Sequence, residues 1–78
     1  MRECFVSFAS AADVQAFVAI ATKQFFSIQV ERGNMLTSGK SILGLFSMGM
    51  NCPLRVVIQD PEADVSPFMT ALQPYLVA

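Results

Sequence analysis

The chain has 78 residues, 54% of them hydrophobic and only 14% charged, with a formal net charge of −1 and no histidine. This length accommodates one domain, assigned to residues 1–78, near the lower limit at which an apolar core suffices without disulfides or metals. The apolar content excludes disorder, and five scattered basic residues supply no electrostatic footprint for nucleic acid or anionic lipid.

Residues 3–8 alternate, with Cys4, Val6 and Phe8 on one side and Glu3 and Ser7 among those on the other, the period-2 pattern of a half-buried strand. Ser10 and Asp13 then stand three apart ahead of Val14, Phe17, Val18 and Ala21. That spacing predicts a capped helix ending near Thr22 or Lys23. Phe26, Ile28 and Val30 alternate with Ser27, Gln29 and Glu31 as a second strand, and Arg32-Gly33-Asn34 turns the chain back into a third over residues 35–38.

Residues 41–48 are too densely apolar for one buried stripe and are closed by Gly49, which predicts a short second helix with Ser41 at or beside its N-cap and Gly39 bending the chain into it. Residues 54–59 are rich in β-branched side chains and bounded by Asp60-Pro61, a fourth strand. The last helix is expected to begin near Asp64, to tolerate Pro67 in its first turn, to direct Phe68, Leu72 and Tyr75 inward and to be kinked or ended early by Pro74. The order β-α-β-β-α-β-α describes an α+β domain with helices on one face of a largely antiparallel sheet.

No apolar run approaches the roughly 20 residues that span a bilayer, and Glu3 near the start argues against a signal peptide. A cytoplasmic protein without membrane association is expected. Cys4 and Cys52, with no histidine to join them, build neither a zinc site nor a Cys-His nucleophile. They read as reduced thiols packed as small hydrophobes, and no metal or other cofactor is expected.

Gly39-Lys40-Ser41 has the ending of a phosphate-binding P-loop, but the first glycine of that motif falls on Asn34, with Gly33 one place too early. The six acidic residues form no general acid-base pair, and the serines have no histidine to activate them, so enzymatic activity is not expected.

The run Lys40-Ser41-Ile42-Leu43-Gly44-Leu45-Phe46-Ser47-Met48-Gly49 resembles the regulatory-serine segment of HPr, the histidine-containing phosphocarrier of the bacterial sugar phosphotransferase system. In that family a Lys-Ser-Ile-(Leu/Met)-Gly run is followed by two or three apolar residues, a serine and a glycine. Gln15-Ala16-Phe17-Val18 is similar to the middle of the family's first helix, and Val56-Val57-Ile58 to its last strand. The resemblance implies an open-faced β-sandwich of four antiparallel strands with three helices on one face, which agrees with the order read from the residues.

The family's phosphocarrier motif, Gly-Leu-His-Ala-Arg-Pro, should precede the first helix, where this chain reads Phe8-Ala9-Ser10-Ala11-Ala12-Asp13. Aligned backward from Phe17, Ser10 takes the approximate place of the histidine, Ala12 that of the arginine and Asp13 that of the proline. By resemblance, Ser41 is the candidate regulatory phosphorylation site, although a plain N-cap role fits it equally. The resemblance also makes Ile42, Leu43 and Phe46 a partner-docking surface, and core packing of one or two of them is the alternative.

The expected function is therefore a regulatory or protein-binding module without phosphohistidine carrier activity, docking through the second helix and switched at Ser41. The alternative is a phosphocarrier-related component of the phosphoenolpyruvate-dependent phosphotransferase system, and a third possibility is an interaction domain with neither activity. The partners implied by resemblance are proteins: a serine kinase, a catabolite-control transcription factor or phosphotransferase components.

Overall fold

A computed structural model describes residues 2–77. Its elements run β1 (Arg2–Val6), α1 (Ala11–Thr22), β2 (Ile28–Arg32), β3 (Met35–Ser38), α2 (Ile42–Ser47), β4 (Leu54–Ile58) and α3 (Ser66–Ala71), followed by a 3₁₀ turn over Gln73–Tyr75. All strand pairs are antiparallel and the spatial order is β1-β4-β2-β3. Among the described residues this is an open sheet of four strands with three α-helices against one face, the expected architecture.

The strand alternation decides which face is covered. Val6, Ile28, Val30, Leu54, Val56 and Ile58 point to the helical side and join Val14, Phe17, Ala21, Leu45, Phe68 and Leu72 in one buried cluster. Four aromatic rings run through it: Phe8 lies 5.2 Å from Phe17, Phe17 6.2 Å from Phe68, and Phe68 5.7 Å from Phe26, all tilted or edge-to-face. Such tilted contacts suit the ring quadrupoles better than flat stacking.

β4 lies between β1 and β2, which explains why its residues read as a nearly continuous apolar run. Val57 points to the opposite, uncovered face and is nevertheless buried, between its cross-strand neighbours Glu3 and Gln29. On that same face Arg55 bridges Glu3 of β1 and Glu31 of β2, the latter at 2.7 Å. These two hydrogen bonds, to Glu3 first, raise the guanidinium pKa further above its already high ordinary value.

Several boundaries differ from expectation, and at α3 the reason is identifiable. β1 stops at Val6, and Phe8 is buried beyond the strand end. β2 begins at Ile28, leaving Phe26 buried in the preceding connection. α3 begins at Ser66 and not near Asp64, because the Asp64 carboxylate accepts the Ser66 N–H at 3.1 Å and holds a local turn. Pro74 does end the α-helical geometry, the chain continuing through the 3₁₀ turn. The Ser7 N–H donates to the Tyr75 carbonyl and the Val77 N–H to the Phe5 carbonyl, both at 2.9 Å, so residues 75–77 pair along the outer edge of β1.

Candidate functional site

α1 starts from an N-cap built by two residues. The Ser10 backbone is extended, and its hydroxyl accepts the Asp13 N–H at 3.3 Å. The Asp13 carboxylate reaches back to accept the Ala9 N–H at 2.9 Å. The Asp13 N–H is shared with the Ser10 carbonyl at 3.1 Å, while the Asp13 carboxylate satisfies the amide of Ala9, which precedes the helix, and places a negative charge in the positive field of the helix start. Ser10→Ala is expected to lower the unfolding free energy by about 1 kcal/mol, measured by urea denaturation, without changing the fold.

α2 follows β3 through a tight Gly39-Lys40 turn. Ser41 caps it, its hydroxyl accepting the Gly44 N–H at 3.1 Å. Gly44 faces β3 so closely that an added Cβ would lie 1.9 Å from the Thr37 hydroxyl oxygen and 2.9 Å from the Thr37 Cβ. At the other end of the helix, the Arg32 guanidinium donates to the Met48 carbonyl at 2.6 Å. Gly49 adopts φ +92°, and a side chain there would also collide with the Arg32 guanidinium. Asn51, at φ +57°, donates its N–H to the Phe8 carbonyl at 2.8 Å, tying the loop after α2 to the loop before α1.

The helix is therefore fixed at its cap, along its β3 side and at its last carbonyls, while part of its surface stays free. Leu43 is 80% exposed and Ile42 is 36% exposed. Phe46 differs from both: it is half-buried and packs against the core cluster. Ser41, Ile42 and Leu43 come together in the first turn of α2, whereas Ser10 stands at the start of α1, the helix against which α2 packs.

The chemistry available at these positions is limited. With no histidine in the chain, the hydroxyls of Ser10 and Ser41 lack an imidazole base, and both already accept backbone hydrogen bonds. Among the described residues no group of three Cys, Asp or Glu side chains could hold a metal ion. Burial, and secondarily Glu3, push the Cys4 thiol above its ordinary pKa, away from the thiolate form that reacts or ligates.

No family model matches this chain, and no curated protein matches it either. A solved structure does: the crystal structure of HPr-C-His from Thermoanaerobacter tengcongensis superposes with a TM-score of 0.73 at 26% sequence identity, covering 95% of this chain and 89% of that one. The fold is HPr-like. The match extends over nearly the whole chain.

In this HPr-like frame the anchoring residues of α2, namely Arg32, Thr37, Gly44 and Asn51, escaped the sequence reading. One signal was visible. A glycine inside a short helix costs about 1 kcal/mol relative to alanine, so its presence points to a close approach by another element. Nothing in the residue pattern revealed that the element is β3.

Proposed function

We propose that this chain is an HPr-like regulatory or protein-binding module that does not carry phosphate on histidine and that docks protein partners through α2. The observation that carries the reading is the start of α1. A phosphohistidine needs an imidazole nitrogen, and the chain contains none. A helix start favours an anion, but here the Asp13 carboxylate already stands beside it, held by the Ala9 N–H. An incoming phosphoryl group would meet negative charge at that position.

Support for docking through α2 comes from Ile42 and Leu43, apolar and exposed on a helix held at both ends. A rigid presentation lowers the ordering cost of association. Ser41 is the candidate switch, because a phosphate there would add about 1.5 to 2 negative charges beside Ile42 and Leu43. Phe46 contributes mainly to packing beneath this surface. By resemblance the partners are a serine kinase, a catabolite-control transcription factor or phosphotransferase components, in the cytoplasm.

The HPr-like fold itself favours a second reading, a phosphocarrier-related component of the phosphotransferase system. Intact-mass measurement after incubation with phosphoenolpyruvate and the first enzyme of that system separates the two. The proposed reading expects no phosphoryl adduct, and an adduct would overturn it in favour of the second. With a serine kinase of that system and ATP, one adduct is expected on the chain and none on Ser41→Ala; a chain that stays unmodified would remove the switch from the reading.

A further inference from the structure

The two edges of the sheet are treated differently. The outer edge of β1 is covered by the chain's own residues 75–77 and carries Arg2 and Glu3. The outer edge of β3 has no such cover among the described residues. From Gly33 to Gly39 the chain reads Gly-Asn-Met-Leu-Thr-Ser-Gly, without a charge, and Met35 and Leu36 are 43% and 60% exposed. Natural sheets usually blunt a bare edge with charge, proline or a bulge.

The hydrogen-bond alternation shows what the β3 edge offers. The Gly39 N–H donates to the Ile28 carbonyl at 2.8 Å, which makes Ile28/Gly39, Val30/Thr37 and Arg32/Met35 the bonded pairs of the hairpin. The N–H and C=O of Leu36 therefore point away from β2, and neither has another partner among the described residues. The Ser38 carbonyl is taken by the Ser41 N–H at 3.1 Å, which ends the available edge there.

We propose that β3 pairs antiparallel with β3 of a second copy of this chain, about a two-fold axis through Leu36, joining the two sheets into one of eight strands. The outward groups of Leu36 are self-complementary, since each N–H faces the other copy's C=O under that symmetry. The same register sets Leu36 against Leu36 on the open face, Met35 against Thr37 on the helical face and Asn34 against Ser38. Every side chain brought opposite another is uncharged. The nearest cations, Arg32 and Lys40, lie outside the paired stretch and are tied back to the Met48 and Gln24 carbonyls. A foreign strand could use the same backbone groups, but it would gain nothing from this symmetry.

So short a contact buries much less than the about 1,600 Å² of a standard interface, and the dimer is accordingly weak. Sedimentation of the full chain from about 10 µM to about 1 mM, a range that spans weak association, is expected to show the mass rising from 8.5 kDa toward twice that value. Over the same range the Leu36 amide should exchange with solvent several-fold more slowly. Leu36→Lys, which sets two like charges against each other at an exposed position, should remain at 8.5 kDa throughout with an unchanged circular dichroism spectrum. Leu43→Lys, on α2, should associate as the parent does. A parent chain monomeric at the highest concentration, a Leu36→Lys chain that associates equally, or loss of association only in Leu43→Lys would each overturn the proposal. None of these outcomes bears on the phosphoryl-transfer experiments above.

Discussion

Phe17→Ala is expected to lower the unfolding free energy by about 3–5 kcal/mol. Phe17 is completely buried on α1 and is the ring through which the two sides of the aromatic run meet, touching Phe8 on one side and Phe68 on the other. Its removal deletes two ring contacts and leaves a cavity at the junction of α1, α3 and the segment after β1, none of which can close it without losing contact with the sheet. A chain of this length has about 4–12 kcal/mol of total stability, so the variant should be largely unfolded in mild urea. Phe25 supplies the control. It is as large and as apolar, but it is fully exposed, and Phe25→Ala should change stability by less than about 0.5 kcal/mol. Urea titrations of both variants against the parent test the contrast; equal losses would mean that the core is not organised around Phe17.

Gly44→Ala is the second large effect, and its sign opposes simple propensity. Alanine in a helix interior is favoured over glycine by up to about 1 kcal/mol. Here the new methyl group would approach the Thr37 Cβ to 2.9 Å, a contact that rotation of the hydroxyl cannot relieve. α2 must then move away from β3, and overpacking of this kind costs about 1–3 kcal/mol or more. The expected net result is destabilisation, read as a lower urea midpoint. Thr37→Ala in the same chain should recover part of the loss, because it removes the hydroxyl oxygen 1.9 Å from the new methyl, so the double variant should be less unstable than the sum of the single ones. Additive losses would show that Gly44 is required for some reason other than its approach to Thr37. Because Ile42 and Leu43 ride on the same helix, the shift would also displace the proposed docking surface.

How much of this was legible in the residues depended on whether the cause was local. The alternation of Ile28 with Val30 and the 3- and 4-residue spacing of Val14, Phe17 and Ala21 are backbone periodicities, and the structure buries those side chains. The cap of α1 was equally visible, since Ser10 and Asp13 act on amides within four positions of themselves. The start of α3 was misplaced by two residues because Asp64 can either open a helix or close a local turn, and here it closes the turn on Ser66. Phe25 and Phe26 are adjacent and chemically identical, and only the strand that follows determines that Phe26 turns inward. The hold of Arg32 on the end of α2 spans 16 positions and left no trace in any pattern.

At α2 the apolar side chains divide for the same reason. Leu43 and Ile42 are exposed, whereas Phe46 packs against the core. Apolar residues at helical spacing share a face only approximately, and a helix of two turns pressed against both α1 and β3 has little face to spare.

The placement of β4 between β1 and β2 has a consequence for how the chain acquires its structure. Until residues 54–58 are available, β1 has no neighbouring strand, and β2 with β3 is an isolated hairpin, marginal in water. The first two-thirds of the polypeptide therefore cannot settle early into part of the sheet. Formation of the sheet waits for residues 54–58 to insert between two strands that precede them in the chain, and such long-range closure is characteristic of slower, all-or-none assembly.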